Sequence, residues 1–210
     1  MASFSASDHA LKDTAAKPSR IAGTLRVLGV DPAVAGATGY GVIEYDGPVP
    51  TLLRFGALKL PARATFASRL REIHRVIAQL VEEFAPDAVA VESVFTALNM
   101  RTALKLAEIR GVVLLAAAQA SIPSHSYSPR EVKASVAGYG GASKQQMQQM
   151  VSSLLRLSSV PEPADAADAL AVALCHAHLS QARERLAASI RVRATAVPQS
   201  NRSRAARVPN

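Results

Sequence analysis

A short apolar segment that ends in a carboxylate constrains this chain more than any other feature. Leu25–Asp31 reads Leu-Arg-Val-Leu-Gly-Val-Asp, is rich in residues that favour a β-strand, and is followed by Pro32. Proline cannot extend the hydrogen-bond ladder of a central strand, so the strand should stop there. We therefore expect the carboxylate of Asp31 at the edge where open α/β sheets bind ligands. Taken alone, an aspartate that merely forms a turn is the commoner arrangement.

The spacing of apolar residues along the rest of the chain predicts a mixed α/β domain. Predicted strands lie at about 25–31, 40–45, 51–59, 88–91 and 123–127, and predicted helices at about 64–84, 97–120, 144–157 and 164–186, with another starting after Ser128. The second and third strands should form a hairpin around Asp46-Gly47-Pro48. The helix between the first and fourth strands should make those two strands parallel neighbours. The expected fold class is α/β, a mixed five-stranded sheet with helices on both faces.

The composition indicates one globular domain. The chain has 210 residues, a length that is enough for one domain with a full core, and 49% of them are hydrophobic. Its longest apolar run, 112–118, is far shorter than the ~18 residues that a membrane helix needs. The N-terminus shows no secretory signal. The single cysteine, Cys175, excludes an internal disulfide and fits a cytoplasmic protein.

Positive charge is concentrated at the C-terminal end of the chain. From Ser180 onward there are seven arginines and one acid, Glu184, within a formal net charge of +8 for the whole chain. Such a segment fits a polyanionic partner, and it fits a solvated, disordered tail equally well. We interpret residues 1–23 as a flexible leader, 24–188 as the folded domain and 189–210 as a basic, disordered tail.

Three further carboxylates favour a metal site over a simple turn at Asp31. Glu92 ends the fourth predicted strand, at the sheet edge where the first strand also ends. Asp165 and Asp168 are three residues apart on one face of the last helix, in a run of otherwise small and apolar residues. Either one alone would be an ordinary helix-start acid. Two carboxylates on a buried helix without a cation nearby in sequence favour Mg²⁺, which prefers oxygen ligands.

With these residues in place, the sequence resembles the RuvC family of Holliday-junction resolving endonucleases, which have the RNase H-like fold. The resemblance spans about residues 25–178. It rests on Leu28-Gly29-Val30-Asp31-Pro32, Thr38-Gly39-Tyr40-Gly41-Val42-Ile43, Val91-Glu92-Ser93-Val94-Phe95, Ala103-Leu104-Lys105-Leu106, Arg110-Gly111, Val132-Lys133 and Ala164-Asp165-Ala166-Ala167-Asp168-Ala169-Leu170-Ala171.

This resemblance implies a homodimeric, Mg²⁺-dependent nuclease that cuts two opposed strands of four-way junction DNA. It also implies two metal ions per site, with Mn²⁺ able to substitute for Mg²⁺. The partners that it implies are the branch-migration proteins RuvA and RuvB. The family's catalytic and metal-binding carboxylates fall on Asp31, Glu92, Asp165 and Asp168. The predicted helix at 97–120, with a break or a tight contact at Gly111, is the best candidate for the dimer interface.

The resemblance also assigns residues to DNA binding. The aromatic side chain that stacks at the junction centre falls on Phe95, and the basic contacts fall on Lys133 and Lys144. Arg101 and Lys105 follow Phe95 and are further candidates for DNA contacts. Judged without the resemblance, Phe95 fits a core position, and Lys144 fits a solvated helix-start lysine as well as a phosphate contact.

The chain departs from the family pattern directly after Asp31-Pro32. Ala33 stands where the family usually has glycine, and the turn 33–37 is one residue longer and lacks the small polar and basic residues expected there. Two other functions share part of this pattern. An actin-like ATPase or sugar kinase also begins with a strand, an aspartate and a hairpin, but it needs two such domains. A junction-binding protein without activity would not need all four carboxylates.

Overall fold

The computed structural model describes residues 23–45, 49–61, 63–93 and 99–195. Its elements are β1 (Leu25–Asp31), β2 (Thr38–Tyr45), β3 (Pro50–Leu58), α1 (Phe66–Phe84), β4 (Ala88–Glu92), α2 (Met100–Gln119), β5 (Ser124–Tyr127), α3 (Pro129–Ala137), α4 (Lys144–Leu154) and α5 (Ala164–Thr195). The five strands form one sheet in the order β3-β2-β1-β4-β5. The predicted strands are therefore all present, with ends that differ by one or two residues.

The strand pairing confirms the topology expected from the sequence. β2 is antiparallel to both β1 and β3, whereas β1, β4 and β5 run parallel to one another. Val30 pairs with Val91, so the next residue on each strand, Asp31 and Glu92, lies at the same edge of the sheet. We call this edge, where β1 and β4 end, the carboxylate edge.

Helices cover both faces of the sheet, as predicted. Alternate side chains of β1 and β4 enter two separate buried clusters, since successive side chains of a strand point to opposite faces. One cluster, which includes Val27 and Ala90, packs against α3, α4 and α5. The other, which includes Leu28 and Val89, packs against α1 and α2. Asp31 continues the alternation from Val27, so its side chain belongs to the α5 face.

Helix α5 approaches the sheet so closely that two strand positions must be glycine. A Cβ atom built on Gly29 would lie 2.2 Å from the carbonyl oxygen of Ala169, and one built on Gly39 would lie 1.9 Å from that of Asp165. The side of α5 that faces the sheet is lined by small residues such as Ala173. This contact sets the height of α5 above β1, and therefore the position of the acidic residues near its start.

The helix starts agree with the sequence, but two other helix features do not. Ser128 and Ser143 each form a capping box, which fixes the first residues of α3 and α4. The expected break at Gly111 is wrong, because α2 is continuous, and no tight contact forms there within one copy of the chain, because a Cβ atom built on Gly111 meets nothing within 4 Å. Helix α5 continues to Thr195 rather than ending at 186, because 187–195 contains no glycine or proline to stop it.

The tail expected to be disordered is consequently helical from 189 to 195. The side chains of α5 from Ala182 to Arg191 are exposed, so this end of the helix extends beyond the part that packs on the sheet. None of the helices in the described parts of the chain has the length and hydropathy to span a membrane.

Candidate catalytic site

The first candidate ligand, Asp31, is a mostly buried carboxyl group surrounded by other acids. Its pKa is raised from 3.8 to about 9, first by burial, then by the charge of Glu92 and a hydrogen bond with it, and then by the charges of Asp168 and Asp165. A carboxyl group in this environment holds its proton at neutral pH unless a cation approaches. The structure therefore places all four predicted carboxylates within electrostatic reach of one another.

Glu92, at the end of β4, is the nearest acidic neighbour of Asp31. Burial raises its pKa, while a hydrogen bond from Asp31 and the charge of Lys133 lower it. The hydrogen bond between the two side chains raises the pKa of Asp31 and lowers that of Glu92, so Asp31 holds a proton more strongly than Glu92 does. Two carboxylates that are close together without a counter-ion cannot both ionise easily.

The third and fourth carboxylates come from the first two turns of α5. Asp165 and Asp168 are both half-buried, and the helix starts at Ala164. The amino end of a helix carries a partial positive charge, which favours acidic side chains at these positions. The close contact between α5 and the glycines of β1 and β2 holds both acids at the carboxylate edge.

A lysine that is distant in sequence completes the site. Nζ of Lys144, the first residue of α4, lies 2.9 Å from Oδ2 of Asp168. The hydrogen bond with Asp168 raises the pKa of Lys144, and the charges of Asp165 and Asp31 raise it further. Sequence spacing indicated no cation close to these acids, because the partner lies 24 positions upstream. The resemblance had assigned Lys144 to DNA, and the structure pairs it with a carboxylate.

The donor set suits a hard divalent cation by its chemistry rather than by its present spacing. In the ranges that the structure describes, no three acidic, histidine or cysteine side chains are close enough together to hold one ion. The ammonium group of Lys144 instead balances part of the negative charge. Carboxylate oxygens with excess negative charge are the ligands that Mg²⁺ prefers, so the residues present suit that ion.

The predicted DNA-binding residues differ in their exposure and in their contacts. Arg101 is exposed in the first turn of α2, and Lys133 of α3 is close enough to lower the pKa of Glu92. Lys105 is half-buried, with its Nζ 5.6 Å from the centre of the Phe66 ring, which is a cation–π contact. Phe95 lies outside the described residues.

A mixed sheet in the order β3-β2-β1-β4-β5, with acids at the ends of β1 and β4 and on the helix packed against them, defines the RNase H-like class of nucleases. The profile of the crossover junction endodeoxyribonuclease RuvC family matches residues 27–176. The chain belongs to this family.

Individual relatives agree with this assignment. The crossover junction endodeoxyribonuclease RuvC of Chloroflexus aggregans is 47% identical over 165 residues, which are 79% of this chain and 100% of the relative. The structure of Thermus thermophilus RuvC is 34% identical, with a TM-score of 0.70, and the match covers 75% of this chain and 96% of that one. A second structure, T. thermophilus RuvC in complex with Holliday junction substrate, is 32% identical, with a TM-score of 0.68 and the same coverage.

Proposed function

We propose that Asp31, Glu92, Asp165 and Asp168 form the catalytic centre and hold two Mg²⁺ ions, which Mn²⁺ can replace. The observation that carries this proposal is the convergence of four acids from β1, β4 and α5 on one sheet edge. Metal ions bound there would activate a water molecule and stabilise the leaving oxygen of a phosphodiester.

Membership of the RuvC family makes the chain a metal-dependent endonuclease that resolves Holliday junctions, a step of recombination and DNA repair. A relative of similar fold has been captured with a Holliday junction substrate, which supports four-way junction DNA as the substrate here. The family match favours this function over the actin-like alternative. The other alternative, a junction-binding protein without activity, would bind junctions without cleaving DNA, so a cleavage assay distinguishes the two functions.

The chain's own residues have distinct roles in this reaction. Asp31, whose pKa is raised to about 9, must lose its proton before it can act as a ligand, because a carboxylate binds a metal ion only when ionised. Lys144 holds Asp168 in place and can turn to a DNA phosphate, since its side chain is 60% exposed. Lys133 contributes positive charge beside Glu92.

The catalytic proposal is tested by replacing Asp31 or Asp168 with asparagine, which keeps the shape and removes the charge. Changes in the shell around a metal site already cost about 10–100-fold, so loss of a ligand should lower the single-turnover cleavage rate in Mg²⁺ by at least that factor. Junction affinity in Ca²⁺ or EDTA should be unchanged or slightly higher, because one charge that repels phosphate is removed. Glu82→Gln, an exposed acid near the end of α1, is the matched control.

Each outcome of this experiment has a defined meaning. Cleavage at the wild-type rate by either asparagine variant would show that the replaced residue is not a ligand. Loss of binding together with cleavage, in a protein that remains folded, would show that the carboxylates are structural. A wild-type protein that binds junctions but never cuts them in Mg²⁺ would favour the non-catalytic alternative.

We further propose that the protein is a homodimer that assembles through α2. Two symmetric cuts need two active sites related by a two-fold axis. The exposed side of α2 carries Leu104 and Leu115, which are 58% and 51% exposed, and Gly111 lies between them. The absence of any contact at a Cβ built on Gly111 leaves room for the backbone of a second helix.

This interface predicts a specific response to charge. Leu104→Glu and Leu115→Glu should each convert the dimer to monomers in sedimentation experiments, because a carboxylate buried between two copies would lack a partner. Leu186→Glu is the matched control, because Leu186 is 61% exposed but lies on the projecting end of α5. A wild-type protein that is monomeric at micromolar concentration and still makes paired cuts would overturn the dimer proposal.

The remaining expectations complete the proposed function. We propose RuvA and RuvB as branch-migration partners and the cytoplasm as the compartment. The nuclease domain is proposed to extend over 24–188, between a leader and a basic tail, of which residues 1–22 and 196–210 lie outside the described residues. The family match over 27–176 supports the domain as the catalytic part of the chain.

A further inference from the structure

A basic segment lies beside the carboxylate edge, outside the residues assigned to DNA binding above. Residues 49–71 contain five cations and no acid. Of these, Arg54 is paired with Glu83 of α1. Lys59 and Arg63 are exposed between β3 and α1, and Arg69 follows in the first turn of α1.

Strand register places this segment next to the turn that follows Asp31. Thr38, the first residue of β2, pairs with Leu58, the last residue of β3. Lys59 therefore leaves the sheet beside the end of the turn. β3 is two strands away from β1, which is a separation of about 10 Å. Phosphates of one DNA strand repeat every ~3.4 Å along the helix axis, so Lys59 lies about three phosphates away from a phosphate held at Asp31.

Arg69 connects α1 directly to the same turn. Its Nη1 donates a hydrogen bond of 3.3 Å to the carbonyl oxygen of Gly36. Residues 32–37 read Pro-Ala-Val-Ala-Gly-Ala, so the turn itself offers no charged or polar side chain to DNA. The guanidinium group of an arginine has five N–H donors, and this bond uses one of them. Arg69 thus supplies, from another element, the positive charge that the turn lacks.

The start of α1 adds to the attraction for an anion. Arg63 lies two residues before Thr65, whose side chain caps the helix by accepting a hydrogen bond from the backbone N–H of Ser68. The first turn of α1 contains no acid, so the partial positive charge of the helix end is not offset there.

We propose that Lys59, Arg63 and Arg69 form a surface that binds the DNA backbone a few nucleotides from the scissile phosphate, with Arg69 also positioning the turn after Asp31. The occupant is the sugar-phosphate backbone of a junction arm, and this inference rests on the proposed nuclease function. Arginine suits the task because its planar group donates two parallel hydrogen bonds to a phosphate. The surface gives affinity without base recognition, because it reads only backbone charge.

The test measures junction affinity in Ca²⁺ as a function of salt concentration. Each lost phosphate contact should lower the slope of log affinity against log salt by about 0.9, so replacing all three cations with glutamine should lower it by roughly 2 to 3. The triple variant should also lose at least about tenfold in affinity at 150 mM salt. Arg156→Gln is the control, because Arg156 is exposed beyond the far end of α4.

A second variant keeps the test valid if loss of Arg69 disturbs folding. Lys59→Gln with Arg63→Gln changes only exposed side chains and should lower the slope by about 1.8. Arg69→Lys should retain the slope but reduce the cleavage rate of bound junctions, since lysine keeps the charge and loses the planar group that holds Gly36.

The possible failures are distinguishable. If the wild type binds and cuts junctions while the double and triple variants keep its affinity and salt slope, the basic surface is wrong and the nuclease function stands. If the wild type neither binds nor cuts junctions, the proposed function itself fails. If Arg156→Gln lowers the slope by about 0.9, as one replacement within the basic surface should, the effect is general charge rather than a local surface.

Discussion

Replacing Gly29 with alanine tests whether the height of α5 above the sheet controls catalysis. The added Cβ atom would lie 2.2 Å from the carbonyl oxygen of Ala169 and 2.7 Å from the backbone nitrogen of Ala173. Ordinary contact begins near 3.4 Å, so α5 must retreat by about 1 Å. Overpacking of this kind costs about 3 kcal/mol, the upper part of its usual range, because backbone cannot rotate away. For a domain of this size, that corresponds to a melting temperature lower by roughly 6–12 °C.

The same displacement should reach the active site, because Asp168 directly precedes Ala169. A misplacement of 1 Å at a catalytic group can cost about 100-fold in rate. Thermal unfolding and single-turnover cleavage in Mg²⁺ measure the two effects. Gly41→Ala is the matched control, since its Cβ atom would first meet the side-chain tip of Leu170, 2.5 Å away, which can rotate. Wild-type stability and rate for Gly29→Ala, or equal losses for both variants, would refute the reasoning.

Two further predictions concern residues outside this contact. Phe95→Ala should reduce cleavage of intact four-way junctions more than cleavage of substrates already unpaired at the centre, because stacking on an opened base contributes about 1–3 kcal/mol. Equal loss on both substrates would indicate a packing role instead. His176 is 3% exposed and its Nδ1 lies 2.8 Å from the hydroxyl group of Tyr127, and burial together with the charges of His125 and Arg183 lowers its pKa to about 4. Between pH 6.5 and 4 the unfolded chain binds a proton at His176 that the folded chain excludes. The free energy of unfolding in urea should therefore fall by about 3 kcal/mol on acidification over this range, and His176→Gln should lack this loss. An identical pH dependence in that variant would contradict this assignment.

The sequence predicted the features that depend on local pattern and on chain direction. The apolar run of strand-favouring residues and the proline after it located the strand that ends at Asp31. The rule for parallel crossovers then placed Glu92 at the same edge. Spacing within one helix placed Asp165 and Asp168 on one face. These inferences needed no knowledge of distant contacts, and the fold confirms each placement.

Contacts between distant elements could not be read from the sequence. Lys144 pairs with Asp168 only because α4 and α5 pack side by side, and Arg69 reaches Gly36 only because α1 crosses beside the turn. The surroundings of Gly111 could not be inferred from the sequence for a related reason. A glycine inside a helix marks either a break or a close approach, and only the surrounding atoms show that its side of α2 is open.

The position of α5 at the end of the domain has a consequence for how the nuclease is made. Asp31 and Glu92 leave the ribosome first, and Asp168 follows 76 residues after Glu92, which takes roughly 4–15 s at usual rates of synthesis. Until α5 docks, one face of the sheet is uncovered and the site has only two of its four acids. With these four acids as the proposed catalytic centre, a nascent or partly folded chain would lack half of that centre, and nuclease activity would begin only when the last helix completes the domain.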